Sequence, residues 1–178
     1  MHRTELALGY PHGPAKGPGK DLPQIVALAG SLGFNHIQIN TNGVRLSQDP
    51  EYGRALMDAG ATVIYLQFDG LTNSVYRRIR GADLLSLKLK AVERCAELKI
   101  GVILVPTLVK NVNDDQIGDI IQFAKKWMPT VKGVHFQPMA FLGRYQAAPR
   151  NEGRYLISDL LAAIEDQTGG ELRVENLI

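Results

Sequence analysis

Cysteine is almost absent from the sequence, and this scarcity limits the chemistry open to it. Cys95 is the only cysteine among 178 residues, so the chain cannot form an intramolecular disulfide or a metal site built from several thiolates. The sequence also lacks an excess of charge, because 20 Lys and Arg residues are offset by 18 Asp and Glu residues. Nucleic-acid-binding proteins carry a basic patch, and we therefore expect no nucleic-acid partner.

Long apolar runs are missing as well. No run approaches the roughly 18–20 residues that cross a bilayer, and the first five residues, Met-His-Arg-Thr-Glu, lack the apolar segment of a signal peptide. We therefore expect no membrane span and a cytoplasmic protein. With 45% apolar and 21% charged residues, the chain lies in the ordinary globular range and can bury one sizeable core.

A repeating pattern of strands and helices follows an irregular start. Residues 9–20 contain four glycines and three prolines, which disfavour helix and strand, so residues 1–20 are predicted to be an irregular N-terminal arm. The remaining residues, 21–178, are predicted to form one domain. Apolar periodicity predicts strands at 36–40, 62–68, 100–109 and 131–139, a short strand at most at 172–174, and helices at 21–32, 50–59, 84–98, 114–127 and 152–167.

The order of these elements predicts an α/β fold. Connections of this length favour parallel strands joined by right-handed crossovers, so we expect a partial (β/α) barrel of about four parallel strands with outer helices. A closed β/α barrel takes about 250 residues, and the chain is too short to close one. An open doubly wound sheet is the rival architecture, but the sequence lacks its Gly-x-Gly-x-x-Gly fingerprint.

Polar residues follow the predicted strands, where sites of parallel β/α proteins lie. They are Asn40, Thr41 and Asn42, then Gln67 and Asp69, then Thr107, Lys110, Asn111 and Asn113, and finally Gln137. The dipeptides Asn42-Gly43 and Asp69-Gly70 are also ordinary turn sequences. Gln67 and Gln137 need hydrogen-bond partners near the ends of apolar strands, which favours a site or a pairing with a neighbouring strand tip.

These tips carry motifs that together resemble the radical S-adenosylmethionine (SAM) superfamily. The closer resemblance is to the branch with the dihydropterin methyltransferases and the archaeal tetraether-lipid synthases, and it extends over about residues 21–178. The matching motifs are Asn-Thr-Asn-Gly at 40–43, Gln-Phe-Asp-Gly at 67–70, Tyr-Arg-Arg-Ile-Arg-Gly at 76–81, Val-Pro-Thr-Leu-Val at 105–109 with Asn113-Asp114, Phe-Gln-Pro at 136–138 and Glu-Asp-Gln-Thr-Gly-Gly at 165–170.

The resemblance implies SAM as the cofactor and assigns roles to matching positions. Thr41 and Asn42 would lie beside the methionine and ribose, Gln67 and Asp69 at the ribose rim, Arg80 near the carboxylate, Val105 and Thr107 near the adenine or ribose, and Gln137 near the adenine or substrate. The planar fork of an arginine suits a carboxylate. The alternative for Arg77, Arg78 and Arg80 is a solvated basic turn.

Two motifs of the family are missing. The family holds a 4Fe–4S cluster with Cys-x-x-x-Cys-x-x-Cys thiolates, whereas Cys95 lies mid-helix on an apolar face and is predicted to be a core residue. Gly-Gly-Glu-Pro, which binds the SAM amino group in the family, should fall near 13–16 but is absent. We therefore expect no catalytic or metal-ligating residue in this chain.

These absences predict a fragment or truncated member of a radical SAM enzyme that is inactive alone. Its intact relative would use SAM for radical chemistry, such as C-methylation or C–C bond formation, on a pterin or lipid-like small molecule. One alternative is a cluster-free binding module, and another is an unrelated β/α-barrel enzyme, for which only Asp69 and Lys110 offer chemistry and His135 is interpreted as packed. Open sheet edges would permit self-association.

Overall fold

Parallel strands form one main sheet of five and a second sheet of two. The computed structural model describes residues 5–9, by their backbone alone, together with 21–139 and 154–176. The strands are β1 (Glu5–Gly9), β2 (His36–Thr41), β3 (Val63–Gln67), β4 (Gly101–Val105), β5 (Thr107–Leu108), β6 (Val131–Val134) and β7 (Gln137–Pro138). The main sheet has the order β1-β2-β3-β4-β6, and β5 pairs with β7.

In the described parts of the chain, seven helices connect or follow the strands. They are α1 (Leu22–Ser31), α2 (Val44–Gln48), α3 (Pro50–Asp58), α4 (Asn73–Arg80), α5 (Leu85–Glu97), α6 (Ile117–Lys126) and α7 (Ile157–Gln167), with short 3₁₀ turns at Asp114–Gln116 and Val174–Asn176. Local sequence explains the start of α3, where the Asp49 side chain accepts a hydrogen bond from the Tyr52 amide and Pro50 occupies the first turn. Within the described residues, no helix is long and apolar enough to span a membrane.

The two faces of the main sheet have different surroundings. Strand register aligns Ile39 with Ile64, Ile64 with Val102, and Val102 with Val131, and all four side chains are buried in the main core. Alternate residues point to the opposite face of a sheet. On that opposite face Val63 is buried, but the other side chains of β2, β3 and β4 are half-buried or exposed. One face therefore packs against the helices, and the other is largely open in the described structure.

The predicted α/β partial barrel of parallel strands with outer helices is confirmed. Strand β4 is shorter than predicted, because Pro106 has no N–H to continue the ladder, and pairing resumes at β5. The segment predicted as a possible strand at 172–174 instead leads into a 3₁₀ turn.

Residues 5–9 differ from the irregular arm predicted for 1–20. They form β1, which pairs with β2 along its whole length. The segment has the sequence Glu-Leu-Ala-Leu-Gly, and its three apolar residues gave too short a run to indicate a strand beside a segment rich in Gly and Pro. The rest of the predicted arm, 1–4 and 10–20, lies outside the described residues, as do the first two residues of the helix predicted at 152–167.

Candidate functional site

A polar cavity of about 340 Å³ lies at the carboxyl ends of the strands. Six of the eight residues predicted to contact SAM line it, namely Thr41, Gln67, Arg80, Val105, Thr107 and Gln137. Asn40 and Tyr65 complete the lining. The cavity thus brings together residues from β2, β3, α4, β4, β5 and β7, which is the convergence that a parallel sheet produces at this end.

Arg80 is held in the cavity wall by Asp69, which does not line the cavity. Its Nε donates to Asp69 Oδ2 at 2.8 Å and its Nη2 donates to Asp69 Oδ1 at 2.9 Å, while Nη2 also donates to Thr107 Oγ1 at 3.1 Å. The Asp69 side chain is 0% exposed and that of Arg80 is 27% exposed. Asp69, predicted from the resemblance to lie at the ribose rim, therefore has an internal contact that orients the arginine.

Asn113 connects the tips of two strands beneath this pair. Its Nδ2 donates to the carbonyl oxygens of Asp69 at 2.7 Å and Thr107 at 2.9 Å, and its Oδ1 accepts from the Val109 amide at 2.8 Å. The side chain is 0% exposed, and these three bonds satisfy carbonyl and amide groups that burial would otherwise leave unpaired. The sequence marked Asn113 as a polar tip residue but did not indicate this structural role.

Asn42 lies outside the cavity, in a turn. Its exposed side chain accepts a hydrogen bond from the Val44 amide at 3.1 Å, at the start of α2. Gly43 follows with φ of +75°, and a Cβ there would lie 2.4 Å from Leu66 Cδ1. Asn42-Gly43 therefore forms the turn that its composition allowed, and glycine is required by both the backbone angle and the close approach.

Lys88 is a buried cation behind the cavity that sequence reasoning missed. Its side chain is 0% exposed, and Nζ donates to the Asn42 carbonyl oxygen at 2.5 Å and to Gln67 Oε1 at 3.4 Å. Burial lowers the pKa of Lys88 to about 8; the Asp69 charge acts in the opposite direction and the Arg80 charge lowers it further. The sequence did contain an indication that Lys88 is buried, since Lys88 lies on the same buried face of α5 as Ala91, Val92 and Cys95.

Tyr76 packs against the same buried charges. Its side chain is 0% exposed, and Lys88 Nζ lies 5.9 Å from the centre of its ring, within the range of a cation–π contact. Burial raises the pKa of the Tyr76 hydroxyl, and the Asp69 carboxylate raises it further. Tyr76 therefore stays neutral and contributes an aromatic surface to the lysine.

The residues of this chain do not fit a 4Fe–4S cluster. Cys95 is a free thiol, 0% exposed, within α5, and burial raises its pKa to about 12. Cluster ligation needs several thiolates, and a buried protonated thiol on a helix is an unsuitable ligand. Across 21–139 and 154–176, no group of three His, Cys, Asp or Glu side chains is arranged to hold a metal ion.

Comparison with known sequences gives a family match over most of this site. The model of the radical SAM superfamily matches residues 13–124. A 7,8-dihydro-6-hydroxymethylpterin dimethyltransferase from Methanocaldococcus jannaschii is 42% identical over 157 residues, which are 88% of this chain and 31% of that protein. A probable GTP 3′,8-cyclase from Thermococcus kodakarensis is 33% identical over 90 residues, 51% of this chain and 28% of that protein.

Solved structures give the same fold. A domain of the pyruvate-formate lyase-activating enzyme from Bacteroides vulgatus superposes with a TM-score of 0.63 at 16% identity, over 90% of this chain and 93% of that one. Native anSMEcpe with bound AdoMet and Kp18Cys peptide superposes with a TM-score of 0.59 at 13% identity, over 95% of this chain and 49% of that one. The chain spans about a third of the length of the curated relatives it matches, and it belongs to the radical SAM superfamily.

Proposed function

We propose that this chain provides part of the SAM-binding wall of a radical SAM enzyme acting on a pterin or lipid-like small molecule, and that it does not cleave SAM by itself. The observation that carries the proposal is the cavity at the strand tips. Its lining combines carboxamides, hydroxyls and one arginine, and these are the groups that pair with the ribose hydroxyls, adenine edge and carboxylate of SAM.

The substrate class is proposed from the relative in Methanocaldococcus jannaschii, whose name describes a dimethyltransferase of a pterin. At 42% identity over 88% of this chain, that likeness favours C-methylation over the other reactions open to the superfamily. Lipid-like substrates and C–C bond formation belong to the same branch and are the alternative. Either substrate would bind next to SAM, on the side of the cavity formed by the open face of the sheet.

We expect the isolated chain to be inactive because it lacks the thiolate ligands of an iron–sulfur cluster. In radical SAM enzymes, a 4Fe–4S cluster supplies the electron that cleaves SAM. Cys95 cannot hold such a cluster for the reasons given above, so no catalytic step is assigned to this chain. Its own residues would bind and orient SAM by hydrogen bonding, through Gln67, Thr107 and the Arg80 guanidinium that Asp69 holds in place.

The test combines cleavage with binding. The 178-residue chain is incubated anaerobically with ferrous iron, sulfide, dithionite and SAM, and 5′-deoxyadenosine is measured by mass spectrometry. We expect none above a protein-free control, because the thiolate ligands are missing. Formation of 5′-deoxyadenosine that scales with protein concentration would refute the proposed inactivity.

Binding is measured separately by calorimetry and by saturation-transfer NMR with SAM. We expect a dissociation constant of about 1 mM or weaker, which corresponds to about −4 kcal/mol. Gln67→Ala should reduce the transfer to the adenosine protons, whereas Gln122→Ala on α6, outside the cavity, should not. Equal saturation transfer in both variants would rule out the cavity as the SAM site. Micromolar affinity for SAM without cleavage would favour the alternative of a cluster-free binding module.

A further inference from the structure

The buried ammonium of Lys88 contacts the lining of the polar cavity from behind. Lys88 is 0% exposed, and its Nζ donates to the carbonyl oxygen of Asn42 at 2.5 Å and to Oε1 of Gln67 at 3.4 Å. Gln67 lines the cavity, whereas Lys88 does not. The lysine therefore acts on the proposed SAM site through the residues that it contacts.

Lys88 lacks the partner that a buried lysine usually has. A lysine is almost never fully buried unless it is paired, yet among the described residues no carboxylate lies within ion-pair distance of its Nζ. Its charge is directed instead at two neutral oxygens at the end of the sheet. Burying a charge in this way costs free energy, and an apolar side chain would fill the same space. This cost indicates a role for Lys88 in the site.

The chemistry of the two groups fixes the orientation of the Gln67 carboxamide. An ammonium has three donors and no acceptor, whereas a carboxamide has an acceptor oxygen and a donor nitrogen. The oxygen of Gln67 must therefore face Lys88. A separation of 3.4 Å is long for a hydrogen bond, so the main attraction is between the buried charge and the amide dipole, which the protein interior strengthens.

We propose that Lys88 is a positioning residue of the SAM site: it binds the carboxamide oxygen of Gln67 and so makes this side chain a hydrogen-bond donor toward the ligand. The ligand groups that fit such a donor are acceptors, such as ribose oxygens and adenine ring nitrogens. The same ammonium holds the Asn42 carbonyl, in the turn that follows the cavity residue Thr41. The inference rests on the proposed function for the ligand, but the positioning of Gln67 is measured without one.

The positioning is tested by NMR relaxation of the full 178-residue chain labelled with nitrogen-15 glutamine, with Gln67→Ala to assign the resonance. Lys88→Met should lower the heteronuclear Overhauser effect of the Gln67 side-chain amide, because a side chain without its partner moves faster on the picosecond–nanosecond scale. Lys90→Met is the matched control, since Lys90 is exposed on the same helix, and it should leave the value unchanged. An equal value in the unsubstituted chain and in Lys88→Met would overturn the inference.

The donor role is tested by saturation transfer to 5′-methylthioadenosine, a neutral nucleoside. Gln67→Glu keeps the shape of the side chain and gives Lys88 a stronger acceptor, so the midpoint of thermal unfolding should not fall. A carboxylate has no N–H to donate, and the transfer should nevertheless decrease at least about threefold, as expected for the loss of one hydrogen bond. Undiminished transfer in Gln67→Glu would show that Gln67 does not act as a donor.

Deprotonation of Lys88 gives a test without substitution. A neutral amine can also accept a hydrogen bond, so the fixed orientation of Gln67 is lost above the Lys88 pKa of about 8. Transfer to the nucleoside should therefore fall between about pH 7 and about pH 9 in the unsubstituted chain but not in Lys88→Met. A fall of the same size in both proteins would contradict the proposed role of Lys88.

Other charged or titratable side chains lie around Lys88 and the cavity. Asp69 and Arg80 bind each other, burial keeps the Tyr76 hydroxyl protonated by raising its pKa, and Arg45 of α2 is exposed and pairs with the acid that caps α3. His135 is exposed, in contrast to the packed position interpreted from the sequence, and its ring lies 6.3 Å from that of a cavity residue. His135→Ala should keep the pH response, and its loss there would refute the assignment to Lys88.

Failure of the inference and failure of the proposed function give different results. If the unsubstituted chain shows no transfer to the nucleoside at about pH 7, the proposed function is wrong and Gln67 has no ligand role. The relaxation of the Gln67 amide still decides whether Lys88 positions it. Normal transfer with an unchanged Gln67 amide in Lys88→Met would leave the proposed function standing and refute the positioning role.

Discussion

The buried pair of Asp69 and Arg80 should respond unequally to removal of its two charges. Breaking a buried ion pair from one side costs about 3–5 kcal/mol. The carboxylate is 0% exposed and the arginine 27% exposed, so water can reach an orphaned guanidinium but not an orphaned carboxylate. We therefore expect Asp69→Asn to lower the free energy of unfolding by about 3 kcal/mol and Arg80→Gln to lower it by about 4 kcal/mol.

Urea denaturation followed by circular dichroism measures both values, and the double variant completes a thermodynamic cycle. The midpoint of thermal unfolding should fall by roughly 6–12 °C for Asp69→Asn, at about 2–4 °C per kcal/mol for a chain of this size. The double variant should be little less stable than Arg80→Gln, since the two side chains are in contact. Strict additivity, or a larger loss from Asp69→Asn than from Arg80→Gln, would refute the reasoning.

Two further predictions concern the same end of the sheet. The pKa of Lys88 is about 8 in the folded chain and 10.5 in an ordinary lysine, so between these pH values the unfolded state binds more protons and the stability rises with pH. From pH 8 to 10 the free energy of unfolding should increase by about 2 kcal/mol relative to Lys88→Met. Parallel pH profiles of the two proteins would contradict this. Gly43→Ala should lower the free energy of unfolding in urea by about 2–4 kcal/mol, because the position combines a positive φ with overpacking against Leu66. Gly60→Ala is the control that separates these two causes, since Gly60 has a φ of +100° but nothing within 4 Å of an added Cβ. It should lower the free energy of unfolding by less.

Periodicity was enough to predict the elements that bury a regular apolar face. Helices α1, α3, α5 and α6 lie where the 3.6-residue pattern placed them, and β2, β3 and β6 lie where short apolar runs end in polar residues. Helix α4 was missed because its sequence, Asn-Ser-Val-Tyr-Arg-Arg-Ile-Arg, is mostly polar. It is held by two buried side chains, Val75 and Tyr76, and such tertiary packing overrides local pattern.

The site was predictable as a set of strand tips but not in its internal contacts. Parallel topology brings Thr41, Gln67 and Thr107 to one edge whatever their partners are. The contact of Arg80 with Asp69 joins residues 11 positions apart, and that of Lys88 with Asn42 joins residues 46 apart. Neither pairing follows from periodicity, because each depends on how a helix packs against the sheet.

Membership of the radical SAM superfamily overturns the alternative of an unrelated β/α-barrel enzyme. Lys110, which that alternative required, is exposed and does not line the cavity. Association through sheet edges stays a prediction, with β6 as one edge of the main sheet in the described part of the chain. Sedimentation velocity at several protein concentrations would measure it.

The contact between Asp69 and Arg80 has a consequence for how a ligand would be recognised at the wall. An unrestrained arginine loses rotamer entropy when it grips a ligand, but here that ordering has already occurred during folding. The neighbouring carboxylate also offsets the positive charge, so little long-range attraction is left for an anion. Affinity at this wall should therefore depend on fit more than on charge, and it should change little with ionic strength.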